Sequence, residues 1–223
     1  MTGRLYVVGT PVGNLEDITL RALRILGEVA AIACEDTRQT VKLLNRYDIR
    51  KPLISYYRPR EGRRVPEIIR LLKDGRDIAL VSDAGTPGIS DPGFPLIRAA
   101  LKEGIAVVPI PGPSAVTAAL SAAGLPTHRF LFAGFPPPKR TGLRNLLEAL
   151  KGEAATLVFF LPTRRISEFL GAVGEIMGDR NVVVARELTK IHEEFLRGKA
   201  SELAGAIGGK AIKGEATVLV EGL

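Results

Sequence analysis

The sequence predicts an α/β protein of two lobes. Three observations carry that expectation: short apolar runs alternate with segments of helical periodicity, the runs end in loops rich in Gly and Pro, and the alternation is interrupted once, at Pro136-Pro137-Pro138. Strands alternating with helices at this spacing build a mostly parallel, doubly wound sheet. Consecutive prolines favour an extended spacer. Residues 1–135 are therefore expected as an N-terminal α/β domain, 136–142 as a linker and 143–223 as a C-terminal α/β domain.

Taken in order, Leu5-Tyr6-Val7-Val8 opens the chain as a strand, and 9–14 follows as a loop. Thr19 to Glu28 has helical spacing, with Leu20, Leu23, Ile25 and Leu26 on or near one face. Residues 29–34 read as a second buried strand, 37–47 as a helix that stops before Pro52, and 53–56 as a short strand. A helix at 65–74, with Ile68, Ile69, Leu71 and Leu72 as its apolar set, is stopped by Gly75. Asp77-Ile78-Ala79-Leu80 is a strand leading into a long loop, after which 94–103 is a helix closed by Gly104. A strand at 105–110, a small-residue helix at 114–123 and a strand at 129–135 complete the first lobe. Beyond the prolines come a helix at 143–151, a strand at 155–161, a helix at 164–177 and a strand at 181–186. A strand at 193–197, a short helix at 200–207 and a last strand at 215–220 finish the chain.

Composition limits the partners. Of 223 residues 46% are hydrophobic and 25% charged, the balance of an ordinary globular protein. No apolar run approaches the ~20 residues that span a bilayer, and Met1-Thr2-Gly3-Arg4 enters a strand-like run at once, so the expected location is the cytoplasm. A single cysteine, Cys34, fits a reducing compartment; beside Glu35 and Asp36 it reads as a buried, inert thiol. The net charge of +7 favours a polyanionic partner. The cations fall in groups: Arg58, Arg60, Arg63 and Arg64 directly after Tyr56 and Tyr57, then Lys139, Arg140 and Arg144, then Arg164 and Arg165. Aromatic rings beside guanidinium groups suit unpaired bases.

The most informative segment is 81–93, Val-Ser-Asp-Ala-Gly-Thr-Pro-Gly-Ile-Ser-Asp-Pro-Gly. Glycine lets a ligand approach the main chain and proline stiffens it. A stiff acidic loop at the carboxyl end of a strand is where open α/β sheets hold ligands. Gly9-Thr10-Pro11-Val12-Gly13-Asn14 lacks the G-x-G-x-x-G spacing of a dinucleotide site, with Pro11 in the place of its second glycine. No P-loop, G-x-S-x-G elbow or H-E-x-x-H occurs, and one Cys with two separated His leaves no metal-ligand spacing. Ser114, after Pro111-Gly112-Pro113, suits a helix N-cap, either as simple capping with tight packing or with free N–H groups that could bind a ligand's polar edge. Glu35-Asp36-Thr37-Arg38 ends a strand in the same way, either as a helix cap or as part of a site. In the second lobe, 185–194 gathers charges of both signs, including Arg186, Glu187, Lys190 and His192, where a strand ends.

Together these segments resemble the tetrapyrrole methylase superfamily of S-adenosylmethionine-dependent methyltransferases. Within it they are most similar to the branch that 2′-O-methylates a cytidine of small-subunit (16S) rRNA. The resemblance runs from Leu5 to Val220 and rests on 9–19, Glu35-Asp36-Thr37-Arg38, Ser82-Asp83-Ala84-Gly85-Thr86-Pro87, Pro109-Ile110-Pro111-Gly112-Pro113-Ser114 and Arg186-Glu187-Leu188-Thr189-Lys190. It implies two α/β lobes with S-adenosylmethionine in the cleft between them, and a homodimer. Carried over by position, it implies cofactor contacts from Val12, Ser82, Asp83, Thr86, Ser114, Ala115, Leu161 and Glu187. Tetrapyrrole-modifying members resemble G-x-G-P-G-D in the first loop, where this chain has Asn14, which favours the rRNA branch. Longer rRNA members continue past the last strand, and this sequence stops at Leu223.

The expected chemistry is in-line attack of a ribose 2′-hydroxyl on the sulfonium methyl, with positioning supplying much of the acceleration. Candidates for a base are Glu35, Asp36, Glu187 and Lys190, with the 35–36 carboxylates or Lys190 preferred and Glu16 and Asp17 available if the first loop faces the substrate. Arg38, Arg58 and Arg186 are expected to neutralise phosphates flanking the target. Two rival readings remain open: C-methylation of a tetrapyrrole precursor, and a non-catalytic ribosome-binding protein.

Overall fold

A computed structural model describes residues 2–208 and 214–223. They form two compact units, one ending at Ser114 and the other beginning at Ala115.

The first unit contains β1 (Leu5–Val8), α1 (Leu20–Glu28), β2 (Ala31–Cys34), α2 (Thr37–Arg46), β3 (Leu53–Ser55), α3 (Glu61–Lys73), β4 (Ile78–Val81), α4 (Phe94–Lys102) and β5 (Val107–Ile110). Its sheet has the order β3-β2-β4-β1-β5 with every pairing parallel. Side chains alternate between faces along a strand, and the core divides accordingly. Tyr6, Val8, Ile32, Cys34, Ala79 and Val81 pack with α1 and α2, whereas Leu5, Ala31, Ala33, Ile78 and Leu80 pack with α3 and α4. Continuous apolar strands such as Ile78–Val81 follow from burial on both sides.

Local signals set the helix ends. Thr19 caps α1 by accepting the Ala22 N–H, and Asp36 caps α2 by accepting the Arg38 N–H. The sequence reading starts the third helix at residue 65. In the structure a 3₁₀ turn, Arg58–Arg60, runs directly into α3, and Pro66 lies inside the helix at an exposed position.

The second unit contains α5 (Ala115–Ala123), β6 (Phe130–Gly134), α6 (Arg140–Leu150), β7 (Thr156–Pro162), α7 (Ile166–Met177), β8 (Asn181–Arg186), β9 (Glu194–Lys199), α8 (Ala200–Ile207) and β10 (Glu215–Val220). The sheet order is β6-β7-β10-β8-β9. Only the β6–β7 pairing among its described strands is parallel, so this sheet departs from the mostly parallel expectation. Helices α6, α7 and α8 cover one face through Leu147, Phe169, Leu170, Val173 and Leu203. On the other face α5 packs against β10 and β8.

The division between units falls earlier than the proline run suggested. Phe130 pairs with Thr156, which commits β6 to the second sheet, and α5 packs there too. The segment 136–138 is a connection within the second unit, where the Arg165 guanidinium donates to the Pro136 and Pro137 carbonyls at 3.1 and 2.7 Å. Stiffness alone does not make a boundary; strand pairing does. No helix among the described residues is long and apolar enough to cross a membrane.

Phe159 is fully buried and meets the Phe169 ring edge-on at 4.9 Å. Phe159→Ala is expected to cost about 3–5 kcal/mol, read as a lower denaturant midpoint in equilibrium unfolding.

Candidate functional site

Adjacent strands β1 and β4 send their following helices to opposite faces of the first sheet, since α1 packs with one core layer and α4 with the other. Loops that part in this way open a crevice at the carboxyl ends of the strands. Four loops gather there: 9–14 after β1, 35–36 after β2, 82–93 after β4 and 111–114 after β5.

Main-chain contacts lock them together. Thr10 and Gly85 exchange backbone hydrogen bonds at 2.8 and 3.0 Å. The buried Thr10 hydroxyl adds contacts to the carbonyls of Ser82 at 3.0 Å and Gly85 at 3.2 Å. Gly9 and Gly112 lie backbone against backbone, so a Cβ on Gly112 would stand 2.8 Å from the Gly9 carbonyl oxygen. The Asp83 carboxylate accepts the Asp36 N–H at 3.0 Å, joining the loop after β4 to that after β2. Within 82–93, Gly85 and Gly88 have φ of 78° and 83°, a region glycine enters without a Cβ clash. Ser90 takes φ of 65° without that freedom.

The mouth of this crevice is acidic. Asp83 is exposed, yet the surrounding loops withdraw enough water to raise its carboxyl, outweighing the donation from Asp36 N–H. Glu35 is half-buried, and its carboxyl is raised by burial first and then by the charges of Asp83 and Asp91; Arg58 opposes them. Asp36 behaves oppositely. Hydrogen bonds from the Arg38 guanidinium, closest at 2.7 Å, and from the Arg38 N–H hold its carboxyl at about 2. Cys34, immediately before them, is fully buried, and burial pushes its thiol up, with Asp83 and Asp36 adding to the effect.

The structure thus gathers Val12, Glu35, Asp36, Arg38, Ser82, Asp83, Thr86 and Ser114 at one end of the first sheet. Ser82 is buried, and its hydroxyl donates to its own loop at the Ala84 and Gly85 carbonyls. Asn14 caps a short 3₁₀ turn by accepting the Glu16 N–H. Arg58 donates to the Ser90 carbonyl at 2.8 Å. In the second unit Ala115 opens α5. Leu161 and Arg186 both pair with Ala216 from opposite sides, which puts 161 and 186–187 at one end of that sheet. The Leu161 side chain lies in the core, so only its main chain is available to a ligand. Glu187, at φ of 49°, fills the space a Gly214 side chain would need and accepts from Lys190 Nζ at 3.0 Å. Arg186 pairs with Glu194 at 3.3 Å, and His192 is exposed.

Sequence reasoning gave no role to the individual residues Thr10, Gly112 and Glu61, and it grouped Tyr56 with the aromatics suited to unpaired bases, whereas the Tyr56 side chain is fully buried. The signal for Thr10 was a hydroxyl between Gly9 and Pro11 at a strand end. For Gly112 it was a glycine between two prolines, which already fix the turn.

The two carboxyls predict opposite pH behaviour. A raised carboxyl destabilises the fold once ionised, so Glu35→Gln is expected to raise Tm at pH 7. That gain should vanish as pH falls through the raised value to the ordinary 4.5, where the wild-type group is itself protonated. A lowered carboxyl stabilises above its unfolded value, so Asp36→Ala is expected to lower Tm at neutral pH, with the difference fading from pH 3.8 down to about 2. Thermal unfolding at stepped pH reads both.

Comparison with known proteins agrees with this geometry. The sequence profile of the tetrapyrrole (corrin/porphyrin) methylases matches residues 4–204. A Thermotoga maritima protein named ribosomal RNA small subunit methyltransferase I is 49% identical over 99% of this chain and 99% of its own length. A Bacillus subtilis protein of the same name is 47% identical over 99% of this chain and 75% of its own. Among solved structures, a cobalt precorrin-4 methyltransferase of cobalamin biosynthesis superposes with a TM-score of 0.73 at 19% identity, covering 98% of this chain and 94% of that one. A uroporphyrin-III C-methyltransferase from Thermus thermophilus, complexed with S-adenosyl homocysteine, superposes with a TM-score of 0.66 at 19% identity, covering 98% and 97%. On the extent of the profile match and the full-length identity to those relatives, the chain belongs to the tetrapyrrole methylase family.

Proposed function

We propose that this chain is an S-adenosylmethionine-dependent methyltransferase that 2′-O-methylates a cytidine ribose of small-subunit 16S rRNA. It would act in the cytoplasm as a homodimer. The observation that carries the reading is the acidic, main-chain-rich mouth of the first sheet in a basic protein, on a chain that matches the Thermotoga maritima relative over 99% of both lengths.

The residues fit such a cofactor. A sulfonium bearing an ammonium group is cationic, and Glu35, Asp83 and Asp91 cluster where it would sit. The same carboxylates would repel the pyrophosphate of a dinucleotide. Asp83 Oδ1 is engaged by the Asp36 N–H, leaving Oδ2 to accept from a ligand. Val12, Thr86 and Ser114 would line the site, with Ser82 shaping it from within the loop. Ala115, Leu161 and Glu187 remain the proposed contacts from the second unit. When bound, the sulfonium supplies a methyl group already activated for displacement.

The protein's part is to exclude water, align the attacking hydroxyl and receive its proton. Of the nominated bases, Glu35 is the best suited. Its carboxyl is raised and unpaired by any cation closer than Arg58, whereas Asp36 is held by its cap and by Arg38. Lys190 is ion-paired with Glu187. Arg38, Arg58 and Arg186 would steer the RNA by charge, each from within an existing contact.

The test is transfer of label from S-adenosylmethionine to small ribosomal subunits lacking the modification, followed by mapping of the labelled nucleotide. Label is expected on one ribose 2′-oxygen. Asp83→Ala is expected to lower cofactor affinity by about 10²-fold, as loss of a hydrogen-bonded charged partner does. Tight cofactor binding without label on rRNA would overturn the rRNA assignment in favour of a small acceptor.

A further inference from the structure

The three arginines nominated for the RNA are already engaged: Arg38 by Asp36, Arg58 by the Ser90 carbonyl and Arg186 by Glu194. Two others of the same basic group are not. The Arg60 and Arg63 side chains are exposed and make no ion pair or hydrogen bond with any described residue. Arg60 lies over the Tyr57 ring at 5.4 Å. One residue ends the 3₁₀ turn and the other lies in the first turn of α3, three positions on, so they share a face. Arg64, next along, is paired with Glu67.

The only carboxylate between Tyr56 and Arg64 is turned inward. Glu61 accepts the Gly93 N–H at 3.0 Å and faces the fully buried Tyr56, whose phenol is raised by burial and then by Glu61. The outward face of this segment is therefore cationic and aromatic, and its inward face grips the acidic loop. Arg58 holds that loop at Ser90 and Glu61 holds it at Gly93.

We propose that Tyr57, Arg60 and Arg63 form the surface that takes the single-stranded RNA flanking the target nucleotide. The proposal rests on the rRNA reading above. A guanidinium held over a tyrosine ring presents a cation and an aromatic surface together to an unstacked base. Arg63, beside it, neutralises a backbone phosphate. The two inward bonds fix the distance between this grip and the loop assigned to the cofactor. A strand held at Arg60 is thereby held in register with the methyl donor, while Arg58 acts as a positioning residue and not as a phosphate contact.

The experiment compares wild-type protein with Arg60→Ala/Arg63→Ala and Arg60→Lys/Arg63→Lys. Binding to unmodified small subunits is measured over a range of KCl concentrations, together with the KM for subunits and calorimetric S-adenosylmethionine affinity. Each phosphate contact on a single strand adds about 0.7 to the slope of log affinity against log salt, and Arg63 alone is assigned one, so the double alanine variant is expected to flatten it by roughly 0.7. Its KM for subunits should rise about tenfold, with cofactor affinity and Tm unchanged. The lysine variant should recover the slope but not the whole affinity, since an ammonium does not stack. An active wild type whose alanine variant keeps the same slope and KM overturns the inference and leaves the rRNA reading standing. A wild type that binds cofactor but neither binds nor methylates subunits overturns both.

Discussion

Everything at the candidate site depends on a short piece of antiparallel pairing between Thr10 and Gly85. The first sheet is wholly parallel, and its strand ends would otherwise lead into four independent loops. Two backbone hydrogen bonds, reinforced by a buried hydroxyl, tie the loop after β1 to the loop after β4. Gly9 on the same loop then rests against Gly112, bringing in the loop after β5. A side chain at either glycine would drive these backbones apart, because overpacking is relieved by moving main chain when no side chain can yield. A site held by main-chain contacts at the ends of buried strands inherits the rigidity of the sheet.

That rigidity keeps an unfavourable arrangement in place. Burial, Asp83 and Asp91 raise the Glu35 carboxyl, and burial and then Asp36 raise that of Asp83, in a protein whose net charge is +7. The fold could relax the repulsion by letting the loop swing outward, but Arg58 and Glu61 hold its far end at Ser90 and Gly93. Ser90 stays at positive φ for the same reason. Local strain and like-charge crowding persist only where the surroundings over-determine them. Carboxylates crowded in this way are the partner a cation lacks, which is why an acidic mouth on a basic protein is coherent with the proposed function: one charge would serve the cofactor, the other the nucleic acid.

Much of this was legible in the sequence because burial writes itself plainly into parallel strands. Ile78–Val81 and Ala31–Cys34 are apolar throughout, and the Gly- and Pro-rich segments behind them could be neither helix nor strand. The motif positions of the first unit fell where those strands end. What stayed hidden was pairing. Nothing in the residues 129–135 says that Phe130 will sit beside Thr156 and not beside β5, so the proline run looked like a boundary and was only a corner. The antiparallel order of the second sheet was hidden too, since alternation of strands and helices says nothing of strand direction. Hydrogen bonds between loops distant in sequence, such as Thr10 to Ser82 or Gly93 to Glu61, leave no periodic trace.

The neighbouring carboxyls Glu35 and Asp36 show how far one residue's displacement along a chain can separate two identical functional groups. Asp36 stands at the N-cap, where the Arg38 N–H and guanidinium converge on it and hold it ionised at about 2. Glu35 stands one position earlier, still under the cover of the strand ends, where burial and the charges of Asp83 and Asp91 outweigh Arg58 and the Asp83 N–H. The sequence presents the two as interchangeable candidates for a base. Environment divides them: one is committed to ending a strand and starting a helix, the other carries a charge the fold would sooner neutralise. Groups driven apart in this way are where acid–base roles are assigned. Under the proposed function, a proton released by an attacking hydroxyl would therefore be better received at Glu35, where protonation relieves repulsion with Asp83 and Asp91, than at Asp36, where it would break a cap.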